Sequence, residues 1–166
     1  TIDGQTFIER IVDALKQGGV ERIIVVLGFE AEEMRRQIAH LPVEILVNPD
    51  YPLGQLSSLH VAVRHLQAMK NCSGMMVHLV DHPYIDPELV SLMLERFDES
   101  THAIVVPRHR GKRGHPVIFS VMLFDELLRA PMDQGAKAVV NAHRNDTLEI
   151  DTEDAGITVD IDTPEL

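Results

Sequence analysis

At 166 residues, 45% hydrophobic and 25% charged, the chain has the size and composition of one soluble globular domain with a substantial core. A formal net charge of −11, with five phenylalanines, two tyrosines and no tryptophan, excludes broad binding to nucleic acid or acidic membrane and supplies no base-stacking platform. No apolar run approaches the roughly 20 residues of a membrane span; the first residues carry no signal-peptide pattern, and Cys72 as sole cysteine leaves no disulfide framework and fits a cytoplasmic setting.

In chain order, Thr6-Phe7-Ile8-Glu9 has the spacing of a capping box. Phe7, Ile8, Ile11, Val12 and Leu15 recur on one face of the helix it opens, and Gly18-Gly19 is the stop. Ile23 to Leu27 is a β-branched run closed by Gly28 and reads as a buried strand. A short helix is expected from about Ala31 to His40, turning Met34, Ile38 and Leu41 inward and ending at Pro42. Val43 to Val47 is the next strand, giving a βαβ order with a right-handed crossover. Asn48 to Leu59 is a turn-rich loop entering a helix whose buried face is Leu59, Ala62, Val63, Leu66 and Met69. Ser57 or Ser58 suits the N-cap of that helix, while the N–H groups that take a cap also suit a ligand's polar atoms.

Met75 to Val80 is almost wholly apolar and stops abruptly at Asp81-His82-Pro83. Such a run fits a strand buried on both faces of a parallel sheet. Ligands of open α/β sheets bind where the carboxyl ends of such strands open into loops. Asp81, at that end, is the first candidate for chemistry; the plainer reading is that it starts a turn. Asp86-Pro87 reads as the cap and first position of the next helix, with Leu89, Val90, Met93, Leu94 and Phe97 as its apolar stripe. Ala103–Val106 and Pro116–Phe119 are strands around a cationic stretch holding Arg108, Arg110, Lys112 and Arg113. In an acidic chain that stretch suits a small anionic ligand, against the plainer reading of a solvated loop. Helices around Leu123–Leu128 and Ala136–His143 precede closing strands at Thr147–Ile150 and Ile157–Ile161. The alternation predicts a single α/β domain over residues 1–166, three-layer α/β/α with a mostly parallel, Rossmann-like sheet and a mixed second half.

Asp81 and the pair Asp160/Asp162 end apolar runs and are expected at one edge of the sheet. Two carboxylates about 5 Å apart repel by roughly 3 kcal/mol at an effective dielectric near 20, unless a divalent cation lies between them. Oxygen donors without a cysteine or paired-histidine motif point to Mg²⁺ or Mn²⁺ over Zn²⁺. Mg²⁺ takes one or two carboxylates and completes its shell with water and phosphates, so the expected ligand is a nucleoside triphosphate. The nine histidines are scattered and read as ordinary core or surface residues.

The motifs Val25-Val26-Leu27-Gly28, Asn48-Pro49-Asp50-Tyr51 with Gly54 and Ser57-Ser58-Leu59, Asp81-His82-Pro83, Arg113-Gly114-His115-Pro116, Asp133-Gln134-Gly135-Ala136 and Asp160-Ile161-Asp162-Thr163-Pro164-Glu165 follow in this order. Together they resemble the MobA-like NTP transferase family, most closely its molybdenum cofactor cytidylyltransferase branch. The resemblance implies a glycosyltransferase-A type fold and transfer of a nucleotidyl group, CMP from CTP rather than GMP from GTP, to a phosphorylated acceptor such as molybdopterin. It implies Asp81 and Asp162 as catalytic ligands of Mg²⁺, with Asp160 as substitute for the second. It also implies Asn48, Gly54, Ser57 and Ser58 at the nucleotide, and Arg113, Gly114, His115 and Pro116 at the acceptor.

Family members open with a strand and a glycine-rich loop of the type L-A-A-G-x-S-x-R-M-G, which cradles the triphosphate. This sequence begins after that loop, so the chain as written is expected to bind NTP poorly, and unpaired strand edges favour an oligomer. Val80 stands where the family usually has Gly, and His115 where Asn is more frequent. The alternatives are a non-catalytic protein of the same fold that handles molybdenum cofactor, and a sugar-phosphate nucleotidyltransferase.

Overall fold

A computed structural model of the chain describes residues 1–161. Its elements are α1 (Phe7–Gln17), β1 (Ile24–Leu27), α2 (Ala31–Ile38), β2 (Glu44–Val47), α3 (Gln55–Met69), β3 (Gly74–Val77), α4 (Pro87–Glu99), β4 (Ile104–His109), β5 (Lys112–Arg113), β6 (Val117–Ser120), α5 (Phe124–Arg129), α6 (Ala136–Ala142) and β7 (Thr147–Asp151). Short 3-10 turns lie at Tyr51–Leu53, Val121–Leu123, Arg144–Asp146 and Ala155–Thr158. The chain forms two compact units, each discontinuous in sequence. Thr1–Glu21, Met76–Phe119 and the segment from Asp146 make the first; Arg22–Met75 and Ser120–Asn145 make the second.

The first unit begins with the expected capping box. Thr6 Oγ accepts from the Glu9 N–H at 3.3 Å, and Glu9 Oε2 accepts from the Thr6 N–H at 2.7 Å, a cap worth about 1 kcal/mol. α1 packs on α4, closely enough that a Cβ on Gly18 would stand 2.5 Å from Val90 Cγ1. α4 starts where the sequence placed it, with Asp86 Oδ1 accepting from the Glu88 N–H at 2.9 Å and Pro87 in the first turn. The sheet runs β3-β6-β4-β5 with β7 paired to β4. Ile104 pairs with both Phe119 and Thr147, and Arg108 with both Arg113 and Asp151. One edge of β4 is therefore filled by parallel β7, and the other by antiparallel β6 and β5 in succession. Leu89, Met93, Val105, Ile118, Ile150 and Ile157 form the core of this unit, each contributing roughly 1.5–3 kcal/mol by leaving water.

The closing strand expected over Ile157–Ile161 does not form. Asp154 Oδ1 accepts from the Gly156 N–H at 2.8 Å and starts a 3-10 turn instead; the turn seats Ile157 in the core. The strand expected through Val80 also stops early, at Val77, and β3 stands at one end of the sheet order among the described residues.

In the second unit β1 and β2 pair in parallel from Ile24↔Glu44 to Leu27↔Val47. α2 and α3 pack on β1, α3 on α5, and α5 on α6. Leu27, Ile38, Leu56, Val63, Leu66, Phe124, Leu127 and Val139 are buried. α2 is two residues shorter than expected and buries only Ile38, leaving Met34 exposed. The face of α3 is rotated from the expected one: Leu56, Ser57 and His60 are buried with Val63 and Leu66, while Leu59 and Ala62 are half-buried. The helix also starts earlier than expected. Gln55 opens it after Gly54 at φ +99°, so neither Ser57 nor Ser58 is its N-cap. His60 is held by a 2.9 Å bond to the Leu127 carbonyl; a carbonyl only accepts, so His60 Nε2 carries the proton. Among the described residues no helix is long and apolar enough to cross a membrane.

Candidate functional site

Asp81 lies in the first unit, in a turn beyond the carboxyl end of β3 rather than at its last residue. The turn replaces the expected strand because side chain and backbone close it locally. His78 Nε2 bonds the His82 carbonyl at 2.8 Å, and the His82 N–H donates to the Leu79 carbonyl at 3.1 Å. Val80 is thrown outward as a result and is exposed. The Ile161 N–H donates to the Asp81 carbonyl at 2.8 Å, tying the end of the described chain to this turn. The Asp81 carboxylate itself is 47% exposed, with Oδ1 3.9 Å from His82 Nε2.

Three histidines from two segments meet beside it. The His82 and His115 ring centroids are 4.8 Å apart, and His78 lies 6.4 Å from each. Burial pulls the His78 ring down to about 4, and proximity to His115 and His82 adds to this against the opposing effects of the His82 carbonyl and Asp81. Burial also lowers His115, with His82 acting in the same direction. Both rings are held on the neutral side of their ordinary range. The Nδ1 atoms of all three are buried without a hydrogen-bond partner. This grouping is what the scattered reading of the histidines missed; the usable signal was His78 and His82 bracketing Asp81, with His115 in the loop assigned to the acceptor.

That loop is tightly fixed. The Gly114 N–H donates to the Pro107 carbonyl at 3.0 Å and the His115 N–H to the Ile157 carbonyl at 2.9 Å. A Cβ on Gly114 would stand 2.2 Å from the Ile157 carbonyl oxygen, so only glycine fits. The peptide bond between His115 and Pro116 is cis. Arg113 Nε donates to Glu149 Oε1 at 2.6 Å, and Arg108 pairs with Glu149 and, at 2.7 Å, with Asp151. The hydrogen bonds and charge of Asp151 and the charge of Glu149 raise the Arg108 guanidinium, and bonding to Arg108 lowers the Asp151 carboxyl. β7 thus answers the charge of Arg108 and Arg113, while Arg110 and Lys112 stay exposed around the hairpin tip.

Asn48, Gly54, Ser57 and Ser58 lie together in the second unit. Asn48 is buried; its Nδ2 donates to Ser57 Oγ at 2.8 Å and Ser58 Oγ at 3.0 Å, and its Oδ1 accepts from the Asp50 N–H at 2.9 Å. Ser57 Oγ lies 2.6 Å from the Gly54 carbonyl and 3.1 Å from that of Asp50. One amide therefore locks the loop after β2 to the first turn of α3.

Asp162 lies outside the described residues. Asp160 is exposed in an irregular segment, not at the strand end expected for it. Among the described residues no group of three His, Cys, Asp or Glu is arranged to hold a metal.

The description "MobA-like NTP transferase domain" matches residues 1–147. The molybdenum cofactor cytidylyltransferase of Escherichia coli K12 is 26% identical over 145 residues, covering 87% of this chain and 71% of that protein. Nicotine blue oxidoreductase of Paenarthrobacter nicotinovorans is 26% identical over 168 residues, covering 98% and 81%. Rv0371c of Mycobacterium tuberculosis H37Rv, solved in complex with manganese, superposes with a TM-score of 0.83 at 25% identity, over 99% of this chain and 84% of that one. The fold is the α/β class of nucleotide-diphospho-sugar transferases, here with a mixed sheet. With one continuous match over nearly its whole described length, this chain belongs to the MobA-like NTP transferase domain family.

Proposed function

We propose that the domain transfers a nucleotidyl group, CMP from CTP in preference to GMP from GTP, to a phosphorylated acceptor such as molybdopterin. The observation that carries this reading is the exposed Asp81 carboxylate beyond the carboxyl end of β3, in a chain of this family. An acceptor phosphate oxygen attacks the α-phosphorus; the bond to the bridging oxygen of the β-phosphate breaks, and pyrophosphate leaves. Asp81 and Asp162, with Asp160 as substitute for the latter, hold Mg²⁺, which when bound offsets phosphate charge. Asn48, Gly54, Ser57 and Ser58 bind the base and sugar. Arg113, Gly114, His115 and Pro116 form the acceptor loop, with Arg113 fixing it through Glu149. Catalysis of this type is mostly positioning and charge neutralisation, and it needs no covalent nucleophile.

The test is Mg²⁺-dependent binding of CTP and GTP by calorimetry, on this chain and on a version extended upstream, with pyrophosphate release in the presence of molybdopterin. CTP binding that D81A abolishes supports the reading; D81A binding Mg·CTP as the parent does sinks it. The oxidoreductase match over 98% of the chain supports a second reading, a redox enzyme of the same fold. Consumption of nicotine blue without pyrophosphate release from any NTP separates the two.

A further inference from the structure

The Asp81 carboxylate is exposed, so its aim depends on how the backbone beneath it is held. That backbone is braced on each side. The Ile161 N–H reaches the Asp81 carbonyl at 2.8 Å, and the His82 N–H closes the turn on Leu79 at 3.1 Å. The remaining brace is a side chain: the ring of His78, whose Nε2 is 2.8 Å from the His82 carbonyl.

A carbonyl oxygen only accepts, so His78 Nε2 carries the proton and the buried Nδ1, which has no partner, carries the lone pair. The ring sits directly after β3, at the last point where the chain is anchored in the sheet. It spans the residues between that anchor and Pro83, and Asp81 lies within the span. The His82 ring also lies against that of His115, centroid to centroid 4.8 Å. The loop carrying Asp81 is therefore clamped at its far end by one imidazole N–H.

We infer that His78 is a positioning residue for Asp81, its Nε2–H holding the His82 carbonyl so that the carboxylate is presented to a divalent cation in one orientation. The inference rests on the reading of Asp81 as a metal ligand. Groups that orient a metal ligand typically change metal affinity about 10–100-fold when removed.

The experiment compares the parent with H78F, H78Q and D81A. The probe is Mn²⁺, titrated alone and with CTP, with free Mn²⁺ read by electron paramagnetic resonance. H78F keeps an aromatic ring but has no donor and should weaken Mn²⁺ binding about tenfold. H78Q restores an N–H near the Nε2 position and should recover most of the affinity. Circular dichroism and urea midpoints establish that each variant is folded; should H78F not fold, H78N, whose shorter amide does not reach the His82 carbonyl, replaces it. An imidazole ¹⁵N spectrum of the unsubstituted protein should show His78 as the Nε2–H tautomer.

A folded donor-free variant that binds Mn²⁺ within about twofold of the parent overturns the inference, as does the Nδ1–H tautomer. H78Q losing as much affinity as H78F also overturns it, because the donor is then not what matters. If D81A binds Mn²⁺ like the parent, the metal reading of Asp81 fails and this inference fails with it. If D81A loses binding and H78F keeps it, only the inference fails.

Discussion

Truncating Asn48 to alanine is the sharpest test of the structure. The buried amide makes three hydrogen bonds, donating to Ser57 and Ser58 and accepting from the Asp50 N–H. Alanine removes all three. Ser57 keeps a carbonyl acceptor on Gly54, and Ser58 is only half-buried and regains water, so the serines recover much of their loss. The Asp50 N–H loses its acceptor as well, but Asp50 is exposed, so water can take the place of Asn48 Oδ1. At about 0.5–1 kcal/mol net for each of the three bonds, the total is about 2 kcal/mol, read from urea unfolding at neutral pH. S57A should cost about 1–2 kcal/mol, and the double variant should fall short of the sum by about 1 kcal/mol, since both remove the same contact. A cost for N48A below about 0.5 kcal/mol, or strict additivity with S57A, refutes the network.

Stability should also depend on pH through His78. Its folded value of about 4 lies below the ordinary 6.5, so the unfolded chain takes the proton first. The stability is whole above pH 6.5 and is lost as pH falls from 6.5 toward 4, by about 3 kcal/mol in total. His115, lowered by burial, acts in the same direction, and H78F should flatten much of this slope in urea titrations; an unchanged slope counts against the assignment. E149Q removes the acid shared by Arg108 and Arg113, so its urea midpoint should fall below the parent's at low salt and approach it near about 1 M NaCl; equal midpoints at low salt refute the pairing. G135A meets no atom within 4 Å, but φ +66° with ψ −163° is essentially confined to glycine, and a strain of about 2 kcal/mol should lower Tm by about 6 °C. G114A drives a Cβ into the Ile157 carbonyl and should cost more than that shift; the reverse order in thermal melts refutes the packing.

The parts of the fold visible in the sequence are those set by local chemistry. The capping box at Thr6 and Glu9 and the Asp86-Pro87 helix start are each built within four residues, and both stand as expected. What was hidden depends on distant partners. The end of β3 is fixed by His78 reaching the His82 carbonyl and by Ile161 reaching Asp81, so an apolar run through Val80 reads as strand when it is not. Ile157 looks like the start of a strand, yet Asp154 and Gly156 bend the chain first. Ser57 looks like a cap because capping is local, whereas its bond to Asn48 spans nine residues. At the candidate site, Asp81 was singled out as a candidate from its place after an apolar run. The histidine cluster was not, because His115 comes from a segment more than thirty residues away in the chain. The matching of Arg108 to Asp151 was hidden for the same reason: it follows from the register of β4 with β7.

The pairing of β4 with β7 also sets an order of events during synthesis. Ile104 leaves the ribosome 43 residues ahead of its partner Thr147, since the chain builds Ser120–Asn145 of the second unit in between. At about 5–20 residues per second, β4 waits roughly 2–9 s with one long edge unfilled. Ile104, Val105 and Val106 on that edge are fully buried in the finished protein, and such an open apolar edge invites pairing with another nascent chain. Slower growth at low temperature or a holding chaperone should therefore raise soluble yield, and a chain stopped just before Thr147 should collect in the insoluble fraction, whatever the state of its nucleotide chemistry.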